Sequence, residues 1–295
     1  MRLGISTPVV TFYPPSASDW EDAAGIENIA RIAVAADRLG FHHLTCSEHV
    51  AVPTHIAAER GGTYWDPLAT FGYIAALTTR IRLTTQVLVL GYHHPLEIAK
   101  RYGTLDAVSG GRVILGLGVG SLKEEFELLG APFDDRGARA DDALAALRAS
   151  LSVPEPEYHG RFHDYADMFV RPHAVQDRVP LWIGGRTRRS LRRAVESGDG
   201  WVPFGLSIPE LQSMLASVSV SSSSHFDVVL SPDRKLDPLG DPEATVRSLE
   251  AVSGAGATIT GVSISARDAS HYCEQMARLR ELAVGEGHEF GPIQE

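Results

Sequence analysis

Cysteine is nearly absent. Cys46 and Cys273 are the only two in 295 residues. Two thiols cannot build the disulfide framework of a small secreted domain. Cys46 also falls in a strand-like run, where a cysteine reads as a small buried hydrophobe rather than a nucleophile. This usage suits a reducing cytoplasm. Positive charge is short as well: Lys and Arg number 27 against 37 Asp and Glu, a formal charge of -10. That balance argues against a general nucleic-acid or anionic-membrane partner. No apolar run approaches the roughly 20 residues that cross a bilayer. The N-terminus enters Arg2-Leu3-Gly4-Ile5-Ser6-Thr7 directly, with no basic segment and apolar leader. A soluble cytoplasmic protein is expected. No metal centre is expected either. His42-His43 and His93-His94 are adjacent pairs, and neighbours on a strand point to opposite faces.

What the chain does have is a rhythm. Strand-like runs recur near residues 3–7, 43–47, 81–90, 113–118, 181–185, 200–203, 226–230 and 259–264. Each is followed by a helical pattern. Ile26, Ile29, Ala33 and Val34 share one face of the first helix, which Gly40 stops. Asp66-Pro67 and Asp241-Pro242 are cap-and-proline starts. His94-Pro95 opens the third helix and Ser109-Gly110-Gly111 closes it. Val113–Gly118 is apolar almost throughout, as a strand buried on both faces must be. Eight strand–helix units in one 295-residue α/β domain predict a (β/α)8 TIM barrel with insertions in its βα loops. An open doubly wound sheet is the alternative for the same alternation. Residues 154–180 break the rhythm and read as a hairpin-like insertion, with Tyr158–Phe162 and Met168–Val170 as its arms. The serine run Ser219–Ser224 reads as a flexible linker.

Chemistry in such a barrel belongs at the C-terminal ends of the strands. Glu48 and His49 end the second one. They read either as a ligand-facing pair or as an ion-paired carboxylate beside a loop-capping imidazole. Gly116-Leu117-Gly118-Val119-Gly120-Ser121 brings bare backbone close to a flat ligand or a phosphate, or is simply a tight turn. Gly184-Gly185-Arg186-Thr187 ends a strand and opens a helix, a ready anion site. Arg192 and Arg193 read as a solvated helix face. Tyr64, Trp65, Phe162 and Trp201 are candidate pocket aromatics, or ordinary packing.

Taken in order, several segments resemble the bacterial luciferase-like oxidoreductases. They are Ala36-Asp37-Arg38-Leu39-Gly40-Phe41 leading to Ser47-Glu48-His49-Val50, Asp66-Pro67-Leu68 with Thr78-Thr79-Arg80-Ile81-Arg82-Leu83, Leu105–Arg112 with Gly116–Gly120, and Trp182-Ile183-Gly184-Gly185 with Gly198-Asp199-Gly200-Trp201. The likeness runs from Met1 to Phe204 and is strongest to the actinobacterial branch that uses the deazaflavin coenzyme F420. It implies a flat ring at the barrel mouth, with Glu48 and His49 beside its reactive edge. A non-proline cis peptide behind the ring would map to Gln86-Val87. Gly118, Val119, Gly120 and Ser121 would follow the cofactor's side chain. Gly184, Gly185, Arg186 and Thr187 would hold its phosphate. Gln86 stands where family members often carry glycine, and Ser121 where many carry Trp or Glu.

The activity so implied is hydride transfer between F420 and a small organic substrate, with His49 as proton donor or acceptor. An FMN-dependent monooxygenase, using reduced flavin and oxygen, is the alternative. A non-catalytic flavin-binding protein is a third reading, and a cofactor-free barrel hydrolase a fourth. A homodimer and a separate F420 or flavin reductase as electron source are expected partners.

Overall fold

The computed structural model describes residues 1–15, 17–218 and 226–293. The serine run Ser219–Ser224 lies outside the described residues. Eight parallel strands form the centre: β1 Arg2–Ile5, β2 His43–Cys46, β3 Arg82–Thr85, β4 Val113–Gly118, β5 Leu181–Gly184, β6 Gly200–Val202, β7 Asp227–Leu230 and β8 Ile259–Val262. Each pairs with the next in sequence. β8 returns to β1 in the register Arg2↔Ile259 to Ile5↔Val262. The ring is closed, which rules out the open sheet. Around it run α1 Ile26–Arg38, α2 Pro67–Leu77, α3 Pro95–Ser109, α4 Arg136–Ser150, α5 Arg188–Ser197, α6 Ile208–Leu215, α7 Pro242–Gly254 and α8 Ala269–Gly285.

The predicted helix signals act as read. Asp66 accepts from the Ala69 N–H at 2.8 Å with Pro67 in the first turn. Asp241 does the same for Ala244 at 3.0 Å. Gly110 ends α3 in the left-handed region. The buried face of α1 is rotated from the expected one. Ile29, Ile32, Ala33 and Ala36 are buried, while Ile26 and Val34 are only partly covered. The helix packs against both α8 and α2, so its contact arc centres between them.

Strand alternation divides the apolar residues into two cores. Leu3, Ile5, Leu44, Leu83, Leu115, Leu117 and Ile183 pack outward under the helices. Ile114, Trp182, Val202, Val229 and Ile259 fill the barrel itself. At the bottom His43 crosses the barrel, and a Cβ on Gly4 would stand 2.1 Å from its ring. His42 does not face away from His43 as expected. β2 begins only at His43, and the two Nδ1 atoms lie 3.0 Å apart. Burial, with Arg2 and Arg82 nearby, pushes His42 down to about 2 and His43 to about 3, so both are neutral. Among the described residues no cluster of three or more ligand-type side chains could hold a metal.

The third strand departs from a plain run over 81–90. Its pairing with β4 slips by one residue between Leu83↔Val113 and Leu88↔Leu117, which marks a bulge. The bulge contains Gln86–Val87, and that peptide is cis. The insertion is a shorter hairpin than read. Tyr158–His159 pairs with Asp164–Tyr165 rather than with 168–170. Asp142 on α4 holds its tip, accepting from the Arg161, Phe162 and His163 N–H groups.

Candidate active site at the barrel mouth

A cavity of about 390 Å³ opens over the C-terminal ends of the strands. Its walls bring together Glu48, His49, Gln86, Val87, Gly118, Val119, Gly120, Ser121, Gly184 and Gly185, segments far apart in sequence. Tyr64, Tyr92, Pro203 and Phe204 also line it. The floor is smooth because it is built of backbone. A Cβ on Gly118 would stand 2.6 Å from Val87 Cγ2, and one on Gly184 would stand 2.8 Å from Val87 Cγ1. Gly120 and Gly185 have φ of 75° and 133°, conformations that L side chains rarely adopt.

His49 is held from behind. Its Nδ1 lies 2.6 Å from Glu125 Oε2. Glu125 sits on the short helix Lys123–Leu128 and is 1% exposed. The same carboxylate accepts from the Val50 N–H at 2.6 Å, the Ala51 N–H at 3.2 Å and the Tyr92 hydroxyl at 2.7 Å. Burial works against its charge, but the His49, Tyr92 and Val50 hydrogen bonds outweigh that and hold the carboxyl below its ordinary value. A carboxylate on Nδ1 fixes the imidazole's tautomer and leaves Nε2 for proton exchange. The Tyr64 ring packs edge-on against His49 at 4.5 Å.

Glu48 lines the cavity but spends its carboxylate on structure. It accepts from the Val89 N–H at 2.8 Å and pairs with His93 Nε2 at 2.6 Å. Burial alone would lower His93, yet Glu48 and Glu97 raise it above its ordinary value. Glu48 thus pins Leu88–Val89 beside the bulge.

Gln86 is unusual. Its Oε1 is buried with no partner among the described residues, while its carbonyl accepts from Ser47 Oγ at 2.7 Å. Thr187 is occupied as the cap of α5, accepting from the Ser190 N–H at 3.2 Å. Arg186 lies outside the cavity lining, its guanidinium 5.9 Å from the centre of the Phe204 ring.

Of the candidate aromatics, only Tyr64 reaches the cavity. Trp201 is fully buried and donates from Nε1 to the Gly185 carbonyl at 3.1 Å, supporting the glycine pair from beneath. Phe162 lies between the Arg139 and Arg161 guanidinium groups on the hairpin. Trp65 packs on the outer core. Arg193 is also not solvated. It is 6% exposed, pairs with Asp141 and donates to the Gly137 carbonyl at 3.1 Å. Burial pushes the Cys46 thiol up to about 12, which removes it as a nucleophile at neutral pH. Glu125, Tyr92 and the Glu48–His93 pairing were not read from the sequence. An acidic stretch after Ser121 was visible, but nothing local singles out Glu125 as the partner of a histidine 76 positions away.

Residues 1–231 match the family model for luciferase-like monooxygenases. An uncharacterised protein of Mycobacterium tuberculosis is 31% identical over 199 residues, spanning 63% of this chain and 68% of that protein. An F420-dependent glucose-6-phosphate dehydrogenase of Nakamurella multipartita is 29% identical over 213 residues, 70% of this chain and 60% of that enzyme. The crystal structure of a monooxygenase from Streptomyces bottropensis superposes with a TM-score of 0.75 at 23% identity, covering 97% of this chain and 100% of that one. The closed barrel agrees with that structural likeness, and the family match spans the whole mouth up to Phe204. The chain belongs to the luciferase-like monooxygenase family.

Proposed function

We propose that this protein is an oxidoreductase that moves a hydride between coenzyme F420 and a small organic substrate at the barrel mouth. The observation that carries the reading is His49, on the cavity wall with Nδ1 fixed by a buried, ionised Glu125. Hydride loss from an alcohol carbon releases the proton of its oxygen to His49 Nε2, and hydride addition to the carbonyl takes that proton back from Nε2. The residues fit a flat cofactor. Gly118, Gly120, Gly184 and Gly185 line the cavity as bare backbone, packed so closely on Val87, Phe126 and Ser190 that no side chain fits, and the buried Gln86 Oε1 has no donor among the described residues. Arg186 precedes the Thr187 cap of α5, and in this reading its guanidinium meets the cofactor's phosphate. When bound, the deazaflavin supplies the two-electron chemistry. The protein's residues orient the ring, screen it with Tyr64 and Phe204, and move a proton at His49 Nε2.

The second reading is an FMN-dependent monooxygenase. The compact 390 Å³ cavity supports it, since FMN carries no tail beyond its phosphate. Fluorescence titration with F420 and, separately, with FMN tests both. Saturable binding of F420 alone supports the first reading. Selective FMN binding with substrate-dependent oxygen uptake replaces it with the second. Binding of neither leaves the family's fold without its chemistry. A separate reductase as electron source belongs to the proposal where the substrate is reduced by F420 and in the FMN reading. We include a homodimer in the proposal. α2 is apolar on every side, and its Tyr73 and Leu77, with Val108 of α3, are exposed. A cytoplasmic location is proposed too; among the described residues no helix is long and apolar enough to cross a membrane.

A further inference from the structure

A larger cavity lies beside the one just described. It measures about 850 Å³ and runs from the mouth outward between α6 and α7. Gln86, Pro203 and Phe204 line both cavities, so the two meet there. α7 turns a stripe of small residues to this space, Ala244, Ser248 and Ala251, at helical spacing. Ile208 and Leu211 of α6 face them. The small residues leave this space open, and larger side chains at the same positions would fill it. Ligand pockets commonly hold about 300–1,000 Å³, so this lobe alone takes a sizeable molecule.

The walls divide almost evenly between apolar and polar surface, and the polar share carries charge. Arg234 and Arg247 both line the lobe. Their carboxylate neighbours, Asp233 and Glu243, lie 3.6 Å away in exposed pairs. Exposed pairs of this kind are weak. Asp233 is the only carboxylate lining the lobe among the described residues, so positive charge prevails there.

We propose that this lobe holds the body of an amphiphilic substrate, with a large apolar skeleton and one acidic end. The skeleton lies between α6 and α7, the acidic end meets Arg234 and Arg247, and the other end reaches Gln86. The inference rests on the oxidoreductase reading only for where the reactive end lies.

Two fluorescent probes test it on the purified chain without cofactor: anilinonaphthalene sulfonate and its neutral analogue phenylnaphthylamine. Both are expected to bind saturably, one per chain, and to stay bound when F420 or FMN is added. Ser248→Trp, which fills the lobe, should weaken both at least about tenfold. Ala244→Phe gives the same reading should the first variant fold poorly, and the thermal midpoint of each variant checks its fold. Arg247→Gln should weaken the sulfonate alone, about threefold. Displacement of either probe by F420 or FMN overturns the assignment, as does full binding to a folded lobe-filling variant. An equal effect of Arg247→Gln on both probes, or none, overturns the acidic end. Because the probes are read without cofactor, a chain that binds neither F420 nor FMN still answers this test. Failure of the lobe is therefore distinct from failure of the oxidoreductase reading.

Discussion

The two ends of the barrel use charge in opposite ways. At the bottom, buried charges end on backbone. Asp37 accepts from the N–H groups of Thr79, Arg80 and Ile81. Asp106 takes those of Val113, Val175 and Gln176. Arg112 donates to the Ser109, Ile81 and Ala75 carbonyls. At the mouth, each buried carboxylate ends on a histidine as well as on backbone: Glu125 on His49, and Glu48 on His93. The first arrangement fixes where loops cross. The second fixes how a ring nitrogen and a strip of glycine backbone face a cavity. Stability and chemistry are thereby separated along the barrel axis.

That separation can be broken by experiment. The largest effect is expected from His49→Ala: turnover should fall about 10²–10⁴-fold, the usual worth of a proton-transferring residue. Cofactor affinity and thermal midpoint should barely move. Undiminished turnover with a good substrate would remove His49 from the chemistry. Asp37→Ala should do the reverse. It removes the shared acceptor of three backbone N–H groups, that of Ile81 buried, and should cost about 3 kcal/mol in denaturant unfolding, leaving cofactor affinity intact. A loss of affinity equal to the loss of stability would show that the two ends are coupled after all.

Smaller changes sharpen the contrast. Glu125→Gln should lower turnover about tenfold, as loss of a supporting carboxylate does. It should also change the acid limb of stability. The folded Glu125 carboxyl lies below its ordinary 4.5, so its contribution is present above that value and disappears as the pH falls through the folded pKa. Urea midpoints of wild type and variant should therefore converge in acid and diverge toward neutrality. The smallest effect belongs to Cys46. With its thiol pushed up to about 12, iodoacetamide at pH 8 should leave it unmodified in the folded chain. Rapid labelling would mean that β2 opens to solvent.

The barrel was largely legible because its strands are short, nearly continuous apolar runs set between cap and glycine signals. The glycines of the mouth were legible for the same reason: a glycine at a strand end leaves few explanations. Partnerships were not. Glu125 looks like any surface glutamate in a helical stretch. Only the closed barrel brings that stretch against the β2 end. Arg193 looks solvated until α4 supplies Asp141 and the Gly137 carbonyl. Trp201 reads as a pocket aromatic because sequence gives a side chain's size and not its side of the sheet. Helix phase failed on α1 for a related reason. Ile26 and Val34 fit one face, but two neighbours pull the buried arc toward Ile32 and Ala36.

The contact between Gly4 and the His43 ring ties two strands together in heredity as well as in space. No side chain fits at position 4 while an imidazole crosses the barrel floor. Neither residue is thus free to drift alone. A lineage that acquires alanine at position 4 must first have shrunk position 43, and that order of steps is the trace to look for when sequences of this branch are compared.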